Sequence, residues 1–306
     1  MPRLTIALGN YGLTKPIKQA GFDLGRLDLA FVDVEQIVPM MRRMCRKLEF
    51  DICEMAFTTY VCARAAGLPF TAIPVFVTRN FHHWAIFHNV KSGIRGPKDL
   101  EGRKVGVNRG YTVTTGLWAR GILQNEYGVD LNKITWIPTD DEHVLNFAAP
   151  ANVDYSYRGR PMKDLLLGGV VDAALGEVGV EAPEIKPLIP DARNAAFDYF
   201  RRTGVYPINH GVVVKNELLK SEPWIADELV RAFERSKAEY MKNLQASAGL
   251  SMWDQAAADN AAVVGDPFPF GLEKNRKALD AITKFALEQK MVPQRFSVEE
   301  LFAVPN

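Results

Sequence analysis

The sequence predicts a two-lobed α/β protein with a ligand cleft between the lobes. Three observations carry that prediction. Short apolar, strand-like runs alternate with amphipathic helical stretches, the pattern of a mostly parallel sheet covered on both faces. The chain has 306 residues, more than one small core needs. Two apolar strand-like segments, near residues 80 and 207, read as crossings that make the second lobe an insertion in the first.

Residues 4–8 form the first strand and end in the turn Gly9-Asn10-Tyr11-Gly12. Residues 27–34 are a second strand, and Pro39 can stand in the first turn of a helix whose apolar face is Met40, Met41 and Met44. Residues 50–53 are a third strand, and 57–66 a helix closed by Gly67. The β-rich run 70–87 leaves the first lobe. Strands at 104–107, 134–137 and 170–175, with a helix through Tyr127, build the second. Residues 207–214 return, and Pro223 opens a long helix with Ile225, Leu229, Phe233 and Tyr240 on one stripe. Leu279, Ile282 and Phe285 mark a further helix, and Ser297 with Glu300 spells a capping box. The expected lobes are 1–83 with 208–306, and 84–207.

Composition narrows the function. A formal net charge of +1 gives no global field for nucleic acid or an anionic membrane. No run approaches the roughly 18 apolar residues of a membrane span. Met1-Pro2-Arg3-Leu4 leads directly into a strand pattern, and Cys45, Cys53 and Cys62 lack metal-type spacing, so the expected compartment is the cytoplasm. The Gly168-Gly169 pair reads as a turn, without the spaced glycines of a dinucleotide fingerprint, and no cofactor is implied. Asp140, Asp141 and His143 form a polar loop at which a divalent metal stays open. Phe268 and Phe270, expected to be exposed, suggest a homo-oligomer contact.

Open parallel sheets bind ligands beyond the carboxyl ends of their strands, near helix starts. That rule selects Asn10 and Tyr11 after the first strand, and Glu54, Thr58 and Thr59 after the third. It selects Arg79, His82 and His83 at the crossover, and Arg109, Thr112, Thr114 and Thr115 where a second-lobe strand meets a helix. Glu177 follows a later strand, and His210 lies in the return strand. A cation, hydroxyls and backbone N–H groups at residues 109–115 suit a ligand carboxylate. Near neutral pH His83 and His210 can exchange protons. Strand alternation would point His82 away from His83.

Four segments carry a resemblance: Phe50-Asp-Ile-Cys-Glu-Met-Ala, Trp118-Ala-Arg-Gly-Ile-Leu-Gln-Asn-Glu-Tyr-Gly-Val, Gly204-Val-Tyr-Pro-Ile-Asn-His-Gly-Val-Val-Val and Asp266-Pro-Phe-Pro-Phe-Gly-Leu-Glu-Lys-Asn-Arg. Together with Gly102-Arg-Lys-Val-Gly-Val and Gly169-Val-Val-Asp-Ala-Ala-Leu, they resemble the 4,5-dihydroxyphthalate decarboxylase group, which has the type II periplasmic-binding-protein fold. Where that group is expected to carry Arg before the crossover histidine, this chain has His82. The resemblance implies decarboxylation of a hydroxylated aromatic carboxylate by ring protonation and loss of CO2. His83 and His210 are then the catalytic candidates. Tyr11, Glu54, Thr58, Arg79, His82, Arg109, Thr112, Thr114 and Glu177 are the substrate-binding candidates, and Tyr11, Phe81 and Trp84 can pack on the ring. The alternatives are a non-catalytic solute-binding protein for a small carboxylate, as in ABC transport, and an enzyme of cofactor or pyrimidine-precursor synthesis.

Overall fold

In chain order the computed structural model begins β1 (Leu4–Ala7), β2 (Leu29–Val32), α1 (Ile37–Lys47), β3 (Ile52–Ala56), α2 (Phe57–Ala65) and β4 (Phe70–Arg79). Next come β5 (Ile86–Asn89), β6 (Lys104–Val107), α3 (Thr114–Tyr127), β7 (Thr135–Pro138), α4 (Met162–Leu167), β8 (Ala173–Leu175), β9 (Ile185–Pro187) and α5 (Ala192–Thr203). The chain closes with β10 (Ile208–Lys215), α6 (Asn216–Ser221), α7 (Trp224–Ala246), α8 (Met252–Val264) and α9 (Arg276–Glu288). The structure describes residues 3–246 and 251–303.

The chain divides into two units, one of residues up to Asn80, Ile208–Asp280 and from Phe296 on, the other of Phe81–Pro207 and Ala281–Arg295. Residues 81–83 and 281–295 therefore group with the second unit, where the sequence reading had put them in the first. Packing explains this: Phe81 meets Phe197, Phe200 and Tyr206, and Phe285 lies edge-on to Trp118.

The first unit is a five-stranded sheet in the order β2-β1-β3-β10-β4. β1 runs parallel to β2 and β3, while β10, from far along the chain, inserts antiparallel to both β3 and β4. Both sheets are therefore mixed, where a mostly parallel one was expected. The pairing of β10 with β4 slips between Ile208 and Val212, irregularities that bend the strand where His210 sits. Ile6, Ile52, Val75 and Val212 share a buried core with the α7 stripe Ile225, Leu229, Phe233 and Tyr240. Phe268 and Phe270 belong to the same core, Phe268 edge-on to Tyr240, so they offer no exposed surface for the expected subunit contact. Met40, Met41 and Met44 are buried on α1, and Gly67 takes the left-handed conformation (φ 71°) just past α2.

The second unit is a sheet in the order β7-β6-β8-β5-β9, with β6 parallel to β7 and β8, and β5 antiparallel to β8 and β9. Its strands β6 and β7 fall within one residue of expectation, whereas β9 and α5 were not foreseen. No described helix is long and apolar enough to cross a membrane.

Candidate functional site

In the first unit the site is built around Glu54. The third strand runs two residues later than expected, so Glu54 lies inside β3 with its side chain 0% exposed, where the sequence had placed it beyond the strand. Register explains its partner. Ala56 pairs with His210 and Glu54 with Val212, so Glu54 and His210 are diagonal neighbours on one sheet face. Glu54 Oε1 faces His210 Nδ1 at 2.6 Å and also accepts from the Tyr11 hydroxyl, while Oε2 accepts from the Gly9 backbone N–H at 2.8 Å. A Cβ on Gly9 would overlap the Tyr11 ring, so glycine there lets the phenol lie back against the turn. Burial, then the Glu54 charge and hydrogen bond, push the Tyr11 phenol well above its ordinary range, and it stays a proton donor.

A carboxylate only accepts hydrogen bonds, so His210 Nδ1 carries the proton and Nε2 is the basic nitrogen. The His210 side chain keeps 22% of its exposure, enough for a ligand to reach. Lys18, not singled out from the sequence, ties the turn down by donating to Leu8 O (2.7 Å), Gly9 O (3.0 Å) and Asn10 Oδ1 (2.7 Å). Burial lowers its pKa against the opposing pull of Glu54 and Asp33. α2 starts directly after β3 with no side-chain cap from Ala56, and Thr58 and Thr59 are buried in its first turn. Its leading backbone N–H groups thus lie next to the residue paired with His210. Arg79, at the end of β4, is buried and donates to Asn275 Oδ1. Asn275 in turn donates to Pro269 O (2.8 Å) and Gly271 O (2.7 Å). The segment 266–276 therefore acts as a brace for Arg79, a role its sequence did not reveal.

His82 and His83 belong to the second unit. They sit at a 3-10 turn (His83–Ala85), not on a strand, and both are buried, so the alternation argument does not apply. Neither ring nitrogen of His83 has a hydrogen-bond partner among the described residues, and its ring lies 5.5 Å from that of Tyr199. Burial, with a smaller push from Arg202, lowers its pKa to about 4, so it is a neutral imidazole at ordinary pH. Phe81 is a core residue of an aromatic cluster, and Trp84, three residues on, is half-buried.

At the carboxyl end of β6, Arg109 is held at φ 80°, a conformation costly for a non-glycine residue. Its N–H donates to Thr139 Oγ1 at 2.9 Å and its carbonyl accepts from Thr139 N at 3.0 Å, while its side chain is exposed. At residues 109–115, where the sequence reading expected a ligand carboxylate, the donors of Tyr111 and Thr112 are taken by an internal one. Glu142 Oε1 accepts from Tyr111 N (2.5 Å) and the Tyr155 hydroxyl (2.6 Å). Glu142 Oε2 accepts from Thr112 N (3.0 Å) and Thr112 Oγ1. The cation beneath is Arg120 and not Arg109: fully buried, it donates to Tyr111 O and Gln289 Oε1, both at 2.7 Å, and stacks 4.0 Å over the Tyr111 ring. Thr114 is buried at the first position of α3, Glu177 is exposed beyond β8, and Asp141 pairs with Arg158 at 2.8 Å. Among the described residues no group of three His, Cys, Asp or Glu side chains is placed to hold a metal ion. Glu142 and Arg120 escaped the sequence reading. The first lies in a loop without periodicity, and the second sits mid-helix, where arginine usually faces solvent.

Two mixed sheets of this order, each with polar groups gathered at strand ends, define a protein of the periplasmic-binding-protein fold. The alkanesulfonate-binding protein SsuA from Xanthomonas axonopodis pv. citri superposes with a TM-score of 0.57 at 14% identity, covering 98% of this chain and 97% of that one. The desulfurization enzyme DSZB superposes with a TM-score of 0.55 at 13% identity, covering 98% and 96%. The family described as NMT1/THI5 like matches residues 49–247. A 4,5-dihydroxyphthalate decarboxylase of Comamonas testosteroni is 30% identical over 297 residues, 86% of this chain and 89% of that relative. The chain belongs to the NMT1/THI5-like family, and its relatives there include 4,5-dihydroxyphthalate decarboxylases.

Proposed function

We propose that the protein is a carboxy-lyase for a hydroxylated, phthalate-like aromatic carboxylate, with His210 as its base. The observation that carries this reading is the buried Glu54, which holds His210 in one tautomer at 2.6 Å. Kinship with a 4,5-dihydroxyphthalate decarboxylase supplies the substrate class.

His210 Nε2 takes the proton of the ring hydroxyl para to the departing carboxylate, which raises electron density on the carbon bearing it. That carbon receives a solvent-derived proton, and aromaticity is lost. The bond to the carboxylate then breaks, its electron pair restores the ring, CO2 leaves, and His210 returns its proton to the oxygen. The net change replaces one carboxylate by hydrogen. The retained carboxylate is held at the uncapped start of α2, beside Thr58, where helix N–H groups favour an anion. His83, its pKa lowered to about 4 by burial, is uncharged at ordinary pH and holds no proton on its second nitrogen to give to carbon. Three buried cysteines outside any disulfide support a reducing, cytoplasmic setting for the reaction.

The test is CO2 release, with product analysis, from 4,5-dihydroxyphthalate by wild type and His210→Gln. Turnover that falls at least a hundredfold in the variant is the expected result. Binding of the compound with no CO2 from wild type would instead identify a solute-binding protein and remove the catalytic role of His210.

A further inference from the structure

We infer that Lys18 is a positioning residue of the His210 site: its ammonium is the fixed positive charge that keeps the buried Glu54 ionised while His210 stays neutral. The inference rests on the proposed role of His210 as base and adds what holds that base in its working charge state. A buried carboxylate calls for a compensating charge as well as hydrogen bonds. Two of the partners of Glu54, the Gly9 N–H and the Tyr11 hydroxyl, are neutral donors. The third is His210, and an imidazolium there would have no lone pair left on Nε2 with which to take a proton. A working base therefore requires a cation from another source.

Lys18 reaches Glu54 through one peptide group. Leu8 O accepts from Lys18 Nζ at 2.7 Å, and the N–H of that same peptide, on Gly9, donates to Glu54 Oε2 at 2.8 Å. In a trans peptide these two bonds point in opposite directions, so the ammonium and the carboxylate polarise the group between them in one sense. The other Nζ protons go to Gly9 O (3.0 Å) and Asn10 Oδ1 (2.7 Å), so none of the three acceptors of Lys18 is a carboxylate. Among the described residues, an ammonium with no contacting anion thus faces, across a single amide, a carboxylate with no contacting fixed cation. Burial disfavours the charge on Lys18, and the fields of Glu54 and then Asp33 oppose that.

The groups on neighbouring elements leave this role to Lys18. Burial holds Tyr11 and Cys53 neutral, and Thr58 and Thr59 in the first turn of α2 carry no charge. Lys215, at the far end of β10, pairs with Asp51 at 3.0 Å, and Arg79 on β4 donates to Asn275. A neutral donor could tie the carbonyls of the turn as well as Lys18 does; what only the ammonium adds is charge.

The test is the titration of the His210 imidazole by NMR in wild type, Lys18→Gln, Lys18→Met and Lys18→Arg, its signal assigned by its loss in His210→Gln. Gln keeps hydrogen-bond donors without the charge, Met removes both, and Arg keeps the charge. With the cation gone, Glu54 draws a proton onto His210, so the Gln and Met variants should titrate about one pH unit above wild type. The Arg variant should stay within about a third of a unit. Gln and Met variants that titrate with wild type overturn the inference. An Arg variant that moves as far as they do also overturns it, because geometry and not charge would then be at work. If the Met variant fails to fold, the Gln variant decides alone. A base must be unprotonated, so the acid limb of CO2 release should move up with the His210 midpoint. A midpoint that rises in a protein releasing no CO2 supports this inference and sinks the decarboxylase reading alone.

Discussion

Glu54→Gln is the substitution that most directly tests the first-unit site. The change keeps the shape of a fully buried side chain but replaces one acceptor oxygen by an NH2 donor. One of its orientations sets that NH2 against the Gly9 N–H, and the other sets it against the proton on His210 Nδ1. Either way one buried donor is left unsatisfied, at a cost of about 1–3 kcal/mol. The remaining bonds weaken from charge-assisted to neutral, roughly a kcal/mol more, and relief from burying a charge offsets part of the total. The net loss of stability should be about 1–3 kcal/mol, read as a lower denaturant midpoint with an unchanged slope. Turnover should fall about 10²-fold or more, because His210 is no longer held in the tautomer that leaves Nε2 basic. The decisive comparison is Glu54→Gln/His210→Gln beside His210→Gln. If Glu54 acts through His210, the double variant turns over no more slowly than the single one. A further large loss in the double variant, or turnover of Glu54→Gln within threefold of wild type, refutes the reasoning.

Three further outcomes follow from the same structure. His83 has a folded pKa of about 4 against about 6.5 for an unperturbed histidine, so the unfolded chain binds its proton first and stability drops as pH falls from about 6.5 to about 4. Its share reaches about 3 kcal/mol, and His83→Gln should flatten the denaturant-measured profile in that window while leaving the profile above pH 7 in place. Asn275→Ala removes the acceptor for Arg79 and the donors to Pro269 and Gly271, and should cost about 2–4 kcal/mol by denaturant midpoint. Cys45, Cys53 and Cys62 are buried and outside any disulfide, with burial pushing the Cys45 thiol up to about 12, so a thiol reagent should label none of them in native protein and all three after unfolding.

What the sequence disclosed follows from which signals are local. Periodicity located α1, α2, α3 and the α7 stripe, because helical spacing and cap residues are written within one element. The capping box at Ser297 formed for the same reason, with Ser297 N–H donating to Glu300 Oε2 at 2.7 Å. The carboxyl-end rule selected Tyr11, Glu54 and the residues after β6 as ligand contacts; in the structure Tyr11 bonds Glu54, which lies inside β3, and the residues after β6 bond Glu142. Their partners were hidden because they depend on register and loop path. His210 meets Glu54 through antiparallel pairing across more than 150 residues, and Glu142 reaches Thr112 through a segment with no period to read. A three-residue error in the end of β3 changed Glu54 from an expected ligand contact into a buried support for a histidine.

The two units use one local device with opposite anchoring. In each, the turn after a parallel strand brings a glycine and then a tyrosine, Gly9 with Tyr11 and Gly110 with Tyr111, and backbone N–H donation, from Gly9 in one and from Tyr111 and Thr112 in the other, holds a glutamate from elsewhere in the same unit. In each, a tyrosine hydroxyl, of Tyr11 or Tyr155, takes a further lone pair. Glu54 rides on a central strand, and moving it would break the ladder of β3 with β1 and β10. Glu142 rides on an irregular loop, and swinging its side chain out breaks no strand or helix pairing. Backbone N–H and tyrosine hydroxyl donors thus hold a strand-borne glutamate in one unit and a loop-borne one in the other. That difference predicts contrasting responses to one chemical change: Glu→Gln at 54 should cost stability and turnover, whereas Glu→Gln at 142 should lower the denaturant midpoint less, because a loop-borne amide can turn away from the N–H donors. If both substitutions lowered the midpoint alike, anchoring would not be what separates the two sites.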